Sequence, residues 1–296
     1  MNRVHVDLTG PPQTMLATLY AKALDAEAAR PILGDQYAKA AVARIDYDWE
    51  TTTINARRAP SVAVRTLHFD NWTRQFLAVH EPAHGEVIVV HVGCGLDARV
   101  YRLDPGPGVR WYDVDYPEVI GLRERVYPGR TNYRMLPASV TDPSWLDEIP
   151  PDNPALLLGE GLTPYLTRDD GLALLRRVVD RFPSGELQFD AFSTFGNRAS
   201  QFINPIVRRS GSMLHWAINR PSDILDTVPG TRLLIWQSVF DSDTFDLLTP
   251  VNRWLGRGMA AVPMLRNIGQ YHRYAFGEPR AGKRSASTGV APDTAS

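Results

Sequence analysis

The sequence of 296 residues contains a single cysteine, Cys94, so an internal disulfide is impossible and a cysteine-rich zinc site lacks its ligands. No apolar run approaches the roughly 18 residues of a membrane-spanning helix, and the N-terminus lacks the apolar core of a signal peptide. The formal net charge of -1 provides no basic surface for nucleic acid or an anionic membrane. We therefore expect a cytoplasmic protein without a metal centre, a nucleic-acid partner or a membrane partner.

The composition is that of a globular protein, with 44% hydrophobic and 22% charged residues. Helical patterns dominate residues 1–85. In the segment "PSVAVRTLHFDNWTRQFLAVH", four large apolar side chains recur at helical spacing and are expected to face the core: Val62, Phe69, Trp72 and Phe76. We predict an N-terminal helical cap over residues 1–85.

From Val87 onward, short apolar runs alternate with amphipathic helices, a pattern typical of a parallel α/β sheet. Strands are predicted at Val87–Val92, Arg110–Val114, Tyr133–Ala138, Ala155–Gly159 and Glu186–Phe192. Helices are expected to begin near Asp97, Pro117, Ser144 and Arg168. The later segments "TRLLIWQSVF" and "GQYHRYAFG" predict two last strands that pair in an antiparallel, hairpin-like manner.

Two further boundaries follow from composition. Residues 195–230 are irregular and rich in Arg, Asn and Pro, so we expect a lid-like insertion over the carboxyl edge of the sheet within a core of residues 86–277. Residues 278–296 contain too little apolar content to fold, and we predict a disordered tail.

The stretch "VIVVHVGCGLDARVYRL" predicts a buried strand that leads into a glycine loop and a helix start. Such glycines let the backbone approach a ligand at the carboxyl end of a strand. Gly93, Gly95 and Ala98 satisfy a nicotinamide-dinucleotide fingerprint. The same loop with Asp97 suits S-adenosylmethionine equally well, so the loop alone leaves the cofactor open.

Acidic residues favour the methyl donor. Asp113 and Asp115 lie about 20 residues beyond Gly93, where a carboxylate commonly holds a ribose; both cofactors carry one. Asp97 would repel a pyrophosphate at the helix start, whereas Asp97, Asp115 and Glu160 would attract a sulfonium and an ammonium. The alternative is that Asp97 points outward and pairs with a neighbouring arginine.

Arg65 lies on the same helical face as the apolar stripe of the cap. A guanidinium directed toward the core needs a partner, because an unpaired buried charge is costly. Either a ligand carboxylate, bound through two hydrogen bonds, or an internal Asp or Glu would meet that need. The sequence leaves both open.

The acceptor site is less well marked. We take as substrate-binding candidates Tyr165, Phe195, Arg198 and Trp216. His215 and Tyr165 are the candidate catalytic side chains. For each of them, packing or exposure to solvent is the alternative, and no unambiguous general base is apparent.

Three segments, "VGCGLDARVYRL", "WYDVDYPEVI" and "LLLGEGLTPYLTRDDGLALL", resemble successive motifs of the leucine carboxyl methyltransferase family, with a nearer likeness to its bacterial branch of polyketide O-methyltransferases. The resemblance spans roughly Leu8 to Phe276. It implies a Rossmann-like class I methyltransferase fold: a seven-stranded, mostly parallel sheet with its last strand antiparallel, a helical cap, and an insertion after the fifth strand.

The resemblance also implies S-adenosyl-L-methionine as cofactor and a small-molecule acceptor with a carboxyl or hydroxyl oxygen. Gly93 would contact the donor, Asp115 would hold the ribose, Glu160 would lie near the methionine end, and Arg65 would bind the donor's carboxylate. Where the family usually has an acid before an apolar residue, this chain has Ser139 and Val140, which weakens the expected adenine contact.

We predict an S-adenosylmethionine-dependent O-methyltransferase that acts on a small, polyketide-like or aromatic metabolite. Two alternatives stay open at this point. One is a donor-binding module of the same fold that no longer methylates, and the other is a nicotinamide-dependent oxidoreductase.

Overall fold

A computed structural model of the protein describes residues 3–6 and 12–277. The predicted tail, residues 278–296, lies outside the described residues. The strands are β1 Val4–His5, β2 Ile45–Asp46, β3 Val87–Val92, β4 Val109–Asp115, β5 Tyr133–Pro137, β6 Ala155–Gly159, β7 Ser184–Phe192, β8 Thr231–Ser238 and β9 Gly269–Gly277.

The α-helices are α1 Pro12–Ala26, α2 Gln36–Arg44, α3 Ala59–His84, α4 Arg99–Leu103, α5 Pro117–Val126, α6 Arg168–Arg181, α7 Thr194–Ile203, α8 Pro205–Ser210, α9 Ser222–Leu225, α10 Pro250–Ala260 and α11 Pro263–Arg266. Short 3-10 helices lie at Trp49–Thr52, Pro143–Glu148, Thr163–Tyr165, Val239–Asp241 and Asp243–Leu247. Among the described helices, none is long and apolar enough to cross a membrane.

The main sheet has seven strands in the order β5-β4-β3-β6-β7-β9-β8. All neighbours are parallel except β9, which is antiparallel to both β7 and β8. The predicted fold class is therefore confirmed. The chain order reverses between β3 and β6, and in open α/β sheets ligands bind in the crevice at this switch point.

The central strand β3 divides the core into two layers. Its six residues are all buried, and successive side chains alternate between the two hydrophobic clusters, with Ile88 and Val90 in one and Val87 and Val89 in the other. This accounts for the apolar run Val87–Val90 in the sequence, because a strand covered on both faces does not alternate between apolar and polar positions.

The cap packs on one face of the sheet through α3. Phe69, Trp72 and Phe76 are buried in the same cluster as Val87, as the helical spacing predicts. Val62, one turn from the start of α3, is only half-buried and lines a cavity instead. The apolar stripe thus anchors α3 and carries its N-terminal turn to the edge of the sheet.

Two connections and one strand pair differ from the expectation. The insertion of residues 195–230 contains α7, α8 and α9 rather than irregular chain alone. The segment between β8 and β9 holds two 3-10 helices, α10 and α11, so the last two strands pair without a tight turn. The parallel pair of β1 with β2 was not predicted. Elements this short contain too few repeats for a hydrophobic period to stand out.

Candidate active site

Loops that follow β3, β4, β6 and β7 meet at the carboxyl edge of the sheet beneath α1 and α3. Two cavities lie there, a larger one of 330 Å³ and a smaller one of 160 Å³. They lie side by side, since six residues line both: Thr14, Met15, Gly93, Gly95, Gly161 and Tyr165. Together they fall in the range of about 300–1,000 Å³ that is usual for small-molecule sites.

The glycine loop has a backbone that other residues rarely adopt. Gly93 and Gly95 have φ angles of +60° and +50°. A β-carbon at Gly93 would lie 2.9 Å from Cδ1 of Leu162, and one at Gly95 would lie 3.0 Å from Cβ of Met15. Glycine is needed at both positions because the loop is left-handed and pressed between the cap and the loop after β6.

Asp115 lies at the end of β4 and lines the smaller cavity. Its Oδ2 accepts a hydrogen bond from the Gly95 backbone N–H at 2.7 Å, and its Oδ1 accepts one from the Tyr116 N–H at 2.8 Å. Burial raises the pKa of Asp115, and these two N–H groups oppose that rise. The carboxylate therefore braces the glycine loop and still presents free lone pairs to the cavity.

Asp113 faces the other way. It is buried among the side chains of Trp111, Tyr133 and Arg123, all of which donate hydrogen bonds to it. It does not line either cavity, so of the two aspartates only Asp115 is placed to meet a ligand.

Ser139 and Val140 also line the smaller cavity. The Ser139 hydroxyl is 2.8 Å from the Thr141 hydroxyl, and either oxygen can be the donor. Asp142 does not replace the missing acid, because its carboxylate accepts from the Ser144 N–H at the start of a 3-10 helix and is exposed. The edge of the smaller cavity near Ser139 is thus neutral.

Arg65 and two carboxylates form one wall of the larger cavity. Its Nε donates to Oε1 of Glu160 at 2.9 Å, and its Nη1 donates to Oδ2 of Asp190 at 3.2 Å. The internal-acid alternative for Arg65 is therefore what the structure shows. Within the described residues, Nη2 donates to no protein acceptor, and one edge of the guanidinium stays available.

The two carboxylates beside Arg65 differ in electrostatics. Burial disfavours the ionised form of Glu160, but Arg65 and Arg99 outweigh it and lower the pKa of Glu160 to about 2. For Asp190, burial dominates over Arg65 and the Gly161 N–H, and the pKa is raised. The difference arises because Glu160 pairs with two arginines and Asp190 with one.

Asp97 lines the larger cavity but does not point outward. It is buried and pairs with Lys22 from α1 at 3.1 Å, with Arg99 at 3.4 Å and with Arg102 at 3.1 Å. Burial opposes its ionisation, yet Arg99, Lys22 and Arg102 hold the pKa of Asp97 well below its usual range. Asp97 therefore joins the cap to the glycine loop.

The outer part of the larger cavity is formed by the cap and by the insertion after β7. Its side chains are mostly apolar: Ile54, Val62, Phe192, Pro205, Ile206 and Val207. Arg58 lines the same part, is exposed, and donates through Nη1 to the Thr53 carbonyl at 2.9 Å. Tyr165 lies where the two cavities meet, and burial raises the pKa of its hydroxyl.

Four predicted acceptor residues lie away from both cavities. Phe195 is half-buried on α7, whereas Arg198 and His215 are exposed. Trp216 belongs to the core cluster on the far face of the sheet, with its ring against Gly171 of α6. The insertion turns α8 toward the site, so that Ile206 and Val207 occupy the positions expected of Phe195 and Trp216.

The sequence reasoning missed Asp190, Arg58 and Lys22. Asp190 lies two residues before the end of a predicted strand, and the rule that placed Asp115 at the carboxyl edge could have found it. Lys22 is one of few lysines and lies on a predicted helix, but no pattern indicates that it is buried. Arg58 precedes α3 without any local signal.

Comparison with known proteins adds to this geometry. A model of the leucine carboxyl methyltransferase family matches residues 14–179. The tetracenomycin polyketide synthesis O-methyltransferase of Streptomyces glaucescens is 42% identical over 271 residues, which cover 92% of this chain and 98% of that protein. An S-adenosyl-L-methionine-dependent methyltransferase of Gibberella zeae is 36% identical over 251 residues, 78% of this chain and 83% of its own.

A crystal structure classed as a methyltransferase, from Thermobifida fusca, superposes with a TM-score of 0.53. The superposed residues make up 87% of this chain and 94% of the Thermobifida fusca chain. Because the two sequences are only 18% identical, the likeness concerns the fold.

Proposed function

The chain belongs to the leucine carboxyl methyltransferase family and is an S-adenosyl-L-methionine-dependent methyltransferase; from this premise we propose that it methylates a carboxyl or hydroxyl oxygen of a small metabolite. The acceptor is polyketide-like or aromatic. The glycine loop accordingly serves the methyl donor and not a nicotinamide dinucleotide.

The smaller cavity fits the adenosine part of the donor. Asp115 has lone pairs left to accept from ribose hydroxyls, and Val140 and Leu162 provide apolar surface for a purine ring. Ser139 takes the place of a charged acceptor for the adenine amino group. A hydroxyl can accept that hydrogen bond, but more weakly than a carboxylate.

The larger cavity fits the methionine part. The free edge of Arg65 would bind the donor's carboxylate, and Glu160 and Asp97 would face its ammonium and sulfonium. The donor supplies an electrophilic methyl group. The part played by the chain is to orient it and exclude water, because methyl transfer depends on holding the two reacting atoms about 3–3.5 Å apart and in line.

One observation supports a carboxylic acid, and not a phenol, as the first choice of acceptor. Each carboxylate that lines the larger cavity, among the described residues, is already paired with an arginine or lysine: Asp97, Glu160 and Asp190. None is a free general base. A carboxylate acceptor needs none because it is ionised at neutral pH, whereas a phenol with a pKa near 10 would need one.

Apolar walls and one arginine complete the acceptor site in this proposal. Ile54, Val62 and Ile206 would hold an aromatic body, and Arg58 would pair with its carboxylate. Because burial raises the pKa of Tyr165, its hydroxyl keeps its proton and would donate a hydrogen bond to the acceptor. It would not act as a base.

The test is an assay with donor carrying a labelled methyl group. Acceptors would be aromatic polyketide acids and matched analogues in which the carboxyl is absent but the phenols remain. We expect label in the acid, and release of labelled methanol by mild alkali, which cleaves an ester and leaves an ether intact. Alkali-stable label would assign a hydroxyl oxygen. Donor binding without transfer to any member of either series would favour the non-methylating module.

A further inference from the structure

Charged side chains beside the larger cavity form one connected network of ion pairs, and most of them are buried. Four cations, Lys22, Arg65, Arg99 and Arg102, are linked through salt bridges to five carboxylates, Asp35, Asp70, Asp97, Glu160 and Asp190. With every member ionised, the network carries one negative charge in excess. The excess lies next to the site at which a positively charged donor binds.

Of the three carboxylates in the network that line the larger cavity, Asp190 pairs with the fewest cations. It pairs with Arg65 alone, and its other oxygen accepts from the Gly161 backbone N–H at 2.6 Å. Glu160, by contrast, pairs with two arginines, and Asp97 pairs with three cations. Asp190 is nine-tenths buried and lines the larger cavity, so its charge acts across a site with little water to screen it.

The reaction changes the net charge of the bound cofactor, and a negative charge nearby responds to that change. The donor carries a sulfonium, an ammonium and a carboxylate, and so has a net charge of +1. When the methyl group leaves with the acceptor oxygen, the sulfur keeps the electron pair of the broken bond and becomes a neutral sulfide. The product, S-adenosylhomocysteine, is therefore neutral overall, and it differs from the donor by one methyl group and one charge.

We propose that Asp190 is a specificity-determining residue that favours the charged donor over the neutral product, through the excess negative charge that it gives the site. The same carboxylate positions the Arg65 guanidinium and the Gly161 backbone, because one of its oxygens accepts from Arg65 Nη1 and the other from the Gly161 N–H. Burial raises the pKa of Asp190, and Arg65 and the Gly161 N–H work against this rise. The inference rests on the proposed placement of the donor.

The test measures dissociation constants for S-adenosylmethionine and S-adenosylhomocysteine by titration calorimetry. The ratio of the two constants is the readout, because a merely structural defect would weaken both ligands alike. Asp190→Asn removes the charge and keeps the shape and the acceptor oxygen. We expect it to shift the ratio toward the product by roughly three- to tenfold, the size of effect of one charge across a partly buried site.

Asp190→Glu restores the charge and should return the ratio toward that of the wild type. Asp169→Asn removes an equal charge from the exposed start of α6 and should leave the ratio unchanged. If Asp190→Asn does not fold, Asp190→Ser makes the same comparison. An unchanged ratio in the neutral variant, or equal weakening of both ligands, would overturn the inference.

Arg65→Met separates this inference from the placement on which it rests. If donor affinity is unchanged in Arg65→Met, the donor does not bind through Arg65 and the proposed placement fails. If Arg65→Met weakens the donor while Asp190→Asn leaves the ratio unchanged, the placement stands and only the role of Asp190 is refuted.

Discussion

Replacing Gly93 with alanine tests how tightly the glycine loop is held. Gly93 has a φ of +60°, and an added β-carbon would lie 2.9 Å from Cδ1 and 3.3 Å from Cβ of Leu162. Leu162 lines the smaller cavity, where we place the adenosine. The substitution therefore both strains the backbone and pushes a side chain toward the donor.

The magnitude follows from two contributions. A left-handed conformation costs a residue with a β-carbon about 1–2 kcal/mol. Crowding a packed site adds about 1–3 kcal/mol, and the lower end applies here because the leucine methyl can move. We expect Gly93→Ala to reduce the free energy of unfolding by about 2–3 kcal/mol and to weaken donor binding at least tenfold.

Gly211→Ala is the matched control. Gly211 has a φ of +65°, and nothing lies within 4 Å of its added β-carbon. It should lose only the backbone contribution, about 1–2 kcal/mol, and keep its donor affinity. Urea denaturation and titration calorimetry on both variants give the comparison. Equal destabilisation of the two variants, with donor affinity intact in Gly93→Ala, would refute the crowding by Leu162.

Three further predictions concern single charges. Asp115→Asn should weaken donor binding by about tenfold or more in calorimetry, because hydrogen bonds to a charged acceptor are worth about 1.5–3 kcal/mol; intact affinity would remove Asp115 from the ribose site. Arg58→Ala should raise the KM for an acidic acceptor and leave the donor's dissociation constant unchanged, while Arg57→Ala, on an exposed neighbour, changes neither. The pKa of Glu160 is lowered from 4.5 to about 2, so its ionised form adds about 3 kcal/mol of stability above pH 4.5, and this is lost as the pH falls toward 2. The midpoints of urea denaturation at pH 7 and pH 3 should differ less in Glu160→Gln than in the wild type. An equal difference in the two proteins would contradict the lowered pKa of Glu160. Asp190 has a raised pKa, so its contribution to stability changes with pH in the opposite direction, and it does so in both proteins.

The fold was largely predictable because its signals are local. The apolar run Val87–Val90 marks β3 as a strand covered on both faces, and alternating strands and helices predict a parallel sheet. The Asp170 N–H donates a capping hydrogen bond to the Thr167 hydroxyl at the start of α6, and a threonine followed three residues later by an acid is a local signal for such a cap. The helices between β8 and β9 were not found, since four elements, three of them with five residues or fewer, follow one another with one or two residues between them and show no sustained period.

The candidate site was also predictable only in part. Gly93, Gly95 and Asp115 could be located from order along the chain, because a glycine loop and the acid about 20 residues later both follow adjacent parallel strands. Trp216 and Phe195 were misplaced, because an aromatic residue in an insertion can face the core or the site with equal local propensity. Only packing of the insertion against α6 and α11 decides which.

The sequence by itself thus determined the sheet, the cap and the glycine loop after β3, since each depends on neighbours within a few tens of residues. The tertiary structure alone decided the charges around that loop. Arg65 and Asp190 are 125 residues apart, and Lys22 meets Asp97 only after α1 has packed on the sheet. The pairing of charges depends on distances of a few ångströms in three dimensions, and no pattern along a chain encodes them.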